Sequence, residues 1–259
     1  MFDFPQNLKK FDLIIENPFT VFEKFNFFNE DEFDKLQKEF PSENFFHSKH
    51  SIGSKKYLNN KDENFWKFLE SSTSWYNFYN YVNSEKFLNE IFNLCKKNLH
   101  FIDERKNIKS IKFKKEIKKD FLNRLIRKFN QIFGKYEVRL AFEFSLMKNG
   151  DFIPPHNDTE NKLISLIIYF PENIQQDEKN LGTNFFRSKN QKLDIWKGDM
   201  MSEVESKKFY NDYEVFHHSK FKKNKIVGFL KSKHSWHDVS KINTSTNFRK
   251  SLNINLFKI

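Results

Sequence analysis

Apolar and polar residues alternate strictly along the middle of the chain, between positions 137 and 146. The apolar members of this pattern are Val138, Leu140, Phe142, Phe144 and Leu146. Because successive strand residues point to opposite faces, the pattern predicts a β-strand with one buried face. Residues 251–257 alternate in the same way, whereas the apolar run from Leu163 to Phe170, closed by Pro171, predicts a strand buried on both faces. With further short strands predicted at 181–186 and 225–230, this half of the chain indicates a β-sandwich or barrel.

The N-terminal half has a different period. Residues 18–22 predict a short lead strand, and an amphipathic helix follows that begins after Asn29, a candidate N-cap, and ends at Pro41. Residues 42–62 are polar and predict a loop, in which His47 and His50 are expected to be exposed to solvent. From about 64 to 99, apolar residues recur at helical spacing, which predicts helices packed beside the β-rich half. These residues are Phe65, Phe68, Leu69, Phe87, Leu88, Ile91, Phe92 and Cys95, and His100 belongs to the same face.

Two segments leave alternatives open. Residues 104–133 hold the densest cluster of Lys and Arg, with an apolar stripe through it that includes Ile108, Ile117 and Phe129. This pattern is typical of a basic helix that docks on nucleic acid or on a membrane. It is equally typical of a helix or hairpin whose charged face is simply exposed to solvent, and we prefer this interpretation. Residues 188–220 are irregular and predict a lid or insert, with His217 and His218 on its surface.

The whole chain of 259 residues fits one α+β domain, with a helical support region at 1–136 and a mainly β core at 137–259. The formal charge of +11 comes mostly from Lys, and A/T-rich codon usage explains it as well as an anionic partner does, so a nucleic-acid partner is not expected. One cysteine excludes a disulfide framework, and six scattered glycines exclude a P-loop and a dinucleotide fingerprint. The start lacks the order of a signal peptide, and no apolar run is long enough to span a bilayer, so we expect a cytoplasmic protein.

A histidine and an aspartate stand two residues apart after the first predicted core strand, at His156 and Asp158. Residues i and i+2 of an extended chain point to the same side, so both side chains can reach one metal ion. A third ligand is expected from His237, which we prefer to the neighbouring His234. Two histidines and one carboxylate are the ligand set of non-haem Fe(II) oxygenases. Arg249, further along, can hold a dicarboxylate through two parallel hydrogen bonds.

These residues resemble the motifs of the Fe(II)/2-oxoglutarate-dependent dioxygenase superfamily, in its prolyl 4-hydroxylase-like branch. The resemblance covers residues 137–257 and rests on four elements in order, namely His156-x-Asp158, Gly182-Thr183, Ser235-Trp236-His237-x-Val239 and Arg249-x-Ser251. It implies a double-stranded β-helix, or jelly-roll, with helices packed on it. Leu181-Gly182 stands where the family has two glycines, and the span from His237 to Arg249 is slightly long.

The resemblance also implies roles for individual residues. His156, Asp158 and His237 are the expected iron ligands. Arg249 is expected to hold the distal carboxylate of 2-oxoglutarate, helped by Ser251 and by Tyr169 on the strand that follows the metal motif. Trp236 and Asp238 would orient or shield the ligand between them.

The implied activity is hydroxylation of an unactivated C–H bond, with O₂ as oxidant, 2-oxoglutarate converted to succinate and CO₂, and ascorbate as an optional accessory reductant. Asp158 favours hydroxylation, because related halogenases lack this carboxylate. Three alternatives stay open: a non-catalytic jelly-roll binding module, a nucleic-acid dealkylase of the same superfamily, and a metal-binding cupin. The sequence leaves the oligomeric state open, and also the substrate, which can be peptidyl proline, an amino acid, a glycan or a small metabolite.

Overall fold

The computed structural model of the chain describes residues 11–47, 55–95, 108–114, 121–172, 181–190, 200–243 and 248–259. The helices are α1 (Glu30–Lys38), α2 (Glu63–Ser71), α3 (Thr73–Val82), α4 (Glu85–Cys95), α5 (Phe121–Ile132) and α6 (Glu203–Asp212). The strands of the N-terminal half are β1 (Leu13–Ile15), β2 (Val21–Phe25), β3 (Lys56–Asn59) and β4 (Ser110–Phe113). The other strands are β5 (Lys135–Met147), β6 (Ile153–His156), β7 (Lys162–Tyr169), β8 (Thr183–Ser188), β9 (Tyr213–Ser219), β10 (Lys225–Leu230), β11 (His237–Val239) and β12 (Arg249–Lys258).

The strands form two sheets, and the chain passes repeatedly between them. The larger sheet has the order β1-β2-β10-β7-β12-β5-β3, with β4 paired to β5, and the smaller sheet has the order β6-β11-β8-β9. Within β5 to β12, the order β5-β12-β7-β10 opposite β6-β11-β8-β9 is that of an eight-stranded double-stranded β-helix. The predicted α+β class with a jelly-roll core is therefore confirmed.

The two faces of the larger sheet have different partners. On one face, Phe142 and Phe144 of β5 pack with Phe65 and Trp75 of the helical layer, and the ring centroids of Trp75 and Phe144 lie 4.7 Å apart. The opposite face of the same strands, which carries Glu143 of β5 and Asn255 of β12, lines a cavity. The strict alternation of β5 thus places one set of side chains in the core and the other set along the cavity.

The helices predicted at 64–99 are confirmed as α2, α3 and α4, and the first helix, α1, begins after Asn29 and ends before Pro41. Asn29 occupies the N-cap position of α1, but its side chain makes no capping hydrogen bond. The lead strand lies three residues later than predicted, as β2.

Three predictions made from local pattern are wrong, one of them only in part. The polar segment 42–62 contains strand β3, which pairs antiparallel with β5 at the edge of the larger sheet. The basic segment 104–133, predicted as a helix or hairpin, contains helix α5 as predicted, but it also contains strand β4, which is parallel to β5. The segment 188–220 contains α6 and β9, and β9 is an integral strand of the smaller sheet, paired with β8.

Several residues named in the sequence analysis lie outside the described residues. They are His50, His100, Ile117, residues 191–199 of the predicted insert and residues 244–247 of the span from His237 to Arg249. His47, of the same His-x-x-His pair as His50, forms an isolated bridge with Tyr57 and lies 3.7 Å from Asp62.

In the part of the chain that the structure describes, every helix falls short of the length and apolar content needed to cross a membrane.

Truncation of Phe144 tests the interface between the sheet and the helices. Phe144 is fully buried against Trp75, so we expect Phe144→Ala to lower the free energy of unfolding by about 3–5 kcal/mol. The matched control is Phe25→Ala at the end of β2, where the ring is 40% exposed, and a loss of about 1 kcal/mol or less is expected. Urea unfolding measures both, and equal losses would contradict this packing.

Candidate metal centre

Strands β6 and β11 bring two histidines together from distant parts of the chain. The two strands are antiparallel neighbours in the smaller sheet, and their register pairs His237 directly with His156. Directly paired residues project to the same face, and the two imidazole centroids lie 4.1 Å apart. Pro154 and Pro155 are tolerated within β6 because this strand is at the edge of its sheet.

Asp158 lies two residues beyond β6 and completes a three-residue cluster. Its φ of 59° lies in the left-handed region, which Asp tolerates better than most residues. Its Oδ1 lies 3.7 Å from Nε2 of His156, and its Oδ2 lies 3.7 Å from Nε2 of His237. Ligand atoms of all three residues lie within 4.8 Å of one another. The structure therefore brings together the three predicted metal ligands.

The hydrogen bonds of the two imidazoles leave the same nitrogen available in each ring. Nδ1 of His156 bonds the carbonyl of Pro154, and Nδ1 of His237 bonds the carbonyl of Ser235, each at 2.9 Å. A carbonyl oxygen only accepts, so Nδ1 carries the proton and the lone pair is on Nε2, which faces Asp158. Backbone carbonyls orient metal-binding histidines in this way. Burial lowers the pKa of both imidazoles, which favours the neutral form that binds metal.

Two lysines contact the Asp158 carboxylate. Lys162, at the start of β7, lies 2.9 Å from Oδ1, and the buried Lys231, just after β10, lies 3.6 Å from Oδ2. Burial raises the pKa of the carboxyl, but Lys162 and Lys231 outweigh that effect and hold it well below its usual range. Burial also lowers the pKa of the Lys231 ammonium to about 7. The carboxylate is therefore ionised, and Lys162 fixes the orientation of its Oδ1.

The cluster fits a divalent transition metal. Oδ2 of Asp158 is buried and makes no hydrogen bond with any residue in the described part of the chain. It faces the Nε2 lone pair of His237, and buried polar atoms without a partner commonly belong to sites for a missing ligand. Two atoms bound to one metal at about 2.1 Å lie about 3.0 Å apart when they are adjacent, so the 3.7 Å separations need only a small contraction. His234 is not part of this cluster.

A second group of polar side chains surrounds Arg249, the first residue of β12. Its guanidinium donates from Nε to the carbonyl of Leu181 at 2.5 Å and from Nη1 to Oγ of Ser251 at 3.2 Å. It also lies over the ring of Tyr169, which pairs with Ser251 across β7 and β12. The Tyr169 hydroxyl in turn lies 2.8 Å from Oγ1 of Thr183. The three residues predicted to hold a co-substrate, Arg249, Tyr169 and Ser251, are thus in contact.

Arg249 is a buried cation without an anionic neighbour. Only 2% of its surface is exposed, and no carboxylate among the described residues lies within ion-pair distance. Burial lowers the pKa of the guanidinium and raises that of the neighbouring Tyr169 hydroxyl. An uncompensated buried charge is costly, so the group around Arg249 is suited to an anion that enters from the cavity.

One cavity joins the two groups. It has a volume of about 670 Å³ and is lined by the His156, Asp158 and His237 cluster and by Arg249, Ser251 and Thr183. Next to His237, the apolar ring of Phe229 lines the cavity, with the Phe229 and His237 centroids 4.6 Å apart, and the ring of Phe185 packs against Phe229 in the core. Away from the metal cluster the lining is polar, and Asn253, Asn255 and Ser165 face the cavity there.

A hydrogen-bond network behind His237 holds β11 in place. Asp238 is buried and accepts hydrogen bonds from Nδ2 of Asn184 and from the Tyr210 hydroxyl, at 2.7 Å each. His218 donates to Oδ1 of Asn184 at 2.6 Å, and His217 bonds the buried Glu23 at 2.9 Å. The prediction that these two histidines are surface residues is therefore wrong.

Trp236 packs away from the metal cluster, against Phe186 and Phe209 of a small apolar cluster beside α6. It therefore supports strand β11 rather than shielding the ligands. Lys162 and Lys231 belong to the site but were not predicted to. Each stands directly beside an apolar strand segment, Lys162 before that of β7 and Lys231 after that of β10, where a lysine has the appearance of an ordinary strand end.

Comparisons with known proteins give low-identity structural similarities. No protein-family model matches the chain, and no curated protein does. A prolyl-4-hydroxylase from Pseudomonas putida is 13% identical, with a TM-score of 0.46, over 93% of this chain and 94% of the other. A Trichoplax adhaerens prolyl hydroxylase, solved with a hypoxia-inducible-factor peptide, is 10% identical, with a TM-score of 0.48, over 92% and 78%. The non-haem α-ketoglutarate-dependent epimerase SnoN of nogalamycin biosynthesis is 10% identical, with a TM-score of 0.49, over 92% and 78%.

Removal of the Asp158 charge tests the metal centre. Asp158→Asn keeps the shape of the side chain but removes the anionic ligand, so we expect the affinity for Co²⁺ to fall by about a hundredfold, measured by calorimetric titration. The matched control is Asp34→Asn on the exposed side of α1, which should bind one equivalent of Co²⁺ as the wild type does. Undiminished binding by Asp158→Asn would place the metal elsewhere.

Proposed function

We propose that this protein is a non-haem Fe(II)- and 2-oxoglutarate-dependent dioxygenase that hydroxylates an unactivated C–H bond. The observation that carries the proposal is one cavity lined both by a two-histidine, one-carboxylate cluster and by a buried arginine that has no ion-pair partner among the described residues. The cluster offers a facial set of three ligands, which leaves further positions of an iron ion for co-substrate and O₂. The arginine offers the planar pair of donors that a carboxylate needs.

Different residues of the cavity bind the iron and the co-substrate. His156, Asp158 and His237 hold the iron, and Lys162 orients the carboxylate through Oδ1. Arg249 binds the distal carboxylate of 2-oxoglutarate, helped by Ser251 and Tyr169, which both contact its guanidinium. Bound together, Fe(II), 2-oxoglutarate and O₂ supply the oxidising chemistry: 2-oxoglutarate loses CO₂ and becomes succinate with one oxygen atom, and the other oxygen atom converts a substrate C–H to C–OH.

The other residues that line the cavity support this assignment of roles. Phe229, which packs against Phe185 in the core, covers one side of His237 with apolar surface and helps to exclude water there. The amides of Asn253 and Asn255 and the hydroxyl of Ser165 lie on the sheet beyond the metal, where a substrate enters. These groups favour a polar substrate that forms hydrogen bonds, such as a peptide or a glycan, over a purely apolar one.

The experiment is the formation of succinate from 2-oxoglutarate by protein loaded anaerobically with Fe(II) and then exposed to O₂. Slow turnover without the prime substrate is sufficient for detection. We expect wild-type protein to form succinate and His156→Ala to lose more than about 99% of this activity, because one of three iron ligands is missing. His47→Ala changes a histidine outside the cavity and should keep full activity.

If the wild type forms no succinate although it binds Fe(II) and 2-oxoglutarate, the proposal of catalysis is wrong, and the site is that of a binding protein. Equal activity in His156→Ala and the wild type would show that any succinate arises without this site. Circular dichroism of both variants separates loss of a ligand from loss of the fold.

A further inference from the structure

Helix α5 exposes its apolar face to solvent. Large apolar side chains recur along it at helical spacing and continue into the residue after it. Their exposed fractions are 70% for Leu122, 47% for Leu125, 57% for Ile126, 61% for Phe129, 64% for Ile132 and 52% for Phe133. An amphipathic helix on the surface of a globular protein normally turns this stripe toward the core. We call these six residues the α5 apolar face.

The polar side of the same helix contacts the protein instead. Arg127, of which 12% is exposed, lies 3.9 Å from Glu137 of β5, and Nε2 of Gln131 donates to the carbonyl of Ile259 at 3.1 Å. Asn123 and Asn130 lie on this side as well and are half-buried. Polar contacts thus hold the helix in an orientation that leaves about half or more of each of these six apolar side chains exposed. Apolar patches of this kind mark interaction sites.

The surrounding charge indicates the kind of partner. Residues 104–133 carry eleven Lys and Arg against three Asp and Glu, within a chain whose net formal charge is +11. Arg124 and Lys128 of α5 are exposed, as are Lys112 of β4 and Lys135, which follows the helix. A second copy of this chain would bring like charges together, at an energetic cost. A partner with an anionic surface and an apolar interior would contact both these basic side chains and the α5 apolar face.

We propose that α5 docks the protein on the surface of an anionic lipid bilayer. The helix lies in the plane of the interface, the α5 apolar face enters the boundary of headgroups and acyl chains, and Arg124 and Lys128 pair with lipid phosphates. The proposal goes beyond the oxygenase function and is independent of it, because neither metal nor co-substrate contributes to the docking.

Co-sedimentation of the full chain with lipid vesicles tests the proposal. The vesicles are phosphatidylcholine alone, or phosphatidylcholine mixed with phosphatidylglycerol. We expect wild-type protein to bind the mixed vesicles at least about tenfold more tightly than the neutral ones, and raised salt to weaken that binding. Leu125→Ser with Phe129→Ser should lower the affinity for mixed vesicles by about tenfold or more, because less apolar surface enters the bilayer.

Two further variants test the contribution of the basic side chains and the specificity of the effect of the apolar ones. Arg124→Gln with Lys128→Gln should weaken binding to mixed vesicles and leave binding to neutral vesicles unchanged. The matched control, Val204→Ser, removes an apolar side chain that is 79% exposed on α6 and should bind as the wild type does. All these positions are exposed, so the thermal unfolding midpoints should stay close to that of the wild type, which checks the fold.

Three results would overturn the proposal. The first is no binding to mixed vesicles by a folded wild-type protein. The second is binding that Leu125→Ser with Phe129→Ser leaves unchanged. The third is a wild-type dimer in sedimentation velocity that this double variant dissociates, without vesicle binding, because the α5 apolar face would then be a contact between copies of the chain.

Discussion

The direct pairing of His237 with His156 across β6 and β11 is the constraint on which the site depends. Because side chains alternate along a strand, a slip of one residue in this register would turn one imidazole to the opposite face and dissolve the cluster. The network of Asp238 with Asn184 and Tyr210 fixes β11 against β8 and α6. The hydrogen bonds of both Nδ1 atoms to backbone carbonyls then aim the two Nε2 atoms at Asp158. The pairing of the two strands and the orientation of the two imidazoles are therefore both determined around β6 and β11 of the smaller sheet.

The larger sheet serves two purposes through its two faces. Val138, Leu140, Phe142 and Phe144 of β5 belong to the core shared with the helices, and the residues that alternate with them line the cavity. The same division along β12 places Leu252 and Ile254 in the core and Arg249 and Ser251 in the cavity. The aromatic helical layer thus stabilises the strand that carries the candidate co-substrate residues, although it does not touch the cavity. This arrangement lets the polar lining vary without loss of the core.

The strongest sequence signals were those in which pattern and chemistry coincide. The alternation of β5 and the apolar run of β7 predicted those strands, and the spacing of His156 and Asp158 beside a strand predicted their shared position. Strand β3 was not predicted because Lys56 and Asn59 give this edge strand a polar composition. Strand β9 was not predicted because the polar partners of His217 and His218, Glu23 and Asn184, are distant in the sequence and meet them only in the folded sheets. The lysines at 162 and 231 could not be predicted for a related reason: their proximity to Asp158 arises from tertiary contact between β7, β10 and the end of β6. The orientation of α5 also contradicts what its pattern predicts, which is the basis for assigning it a partner.

The central claim is that one cavity holds a metal at His156, Asp158 and His237 and a dicarboxylate at Arg249. Anomalous diffraction from crystals grown with Mn²⁺ and 2-oxoglutarate, without O₂, tests it most directly. We predict one metal peak bound by Nε2 of both histidines and by the Asp158 carboxylate, and a 2-oxoglutarate molecule whose distal carboxylate contacts the Arg249 guanidinium. A metal bound elsewhere, or 2-oxoglutarate bound away from Arg249, would contradict the account.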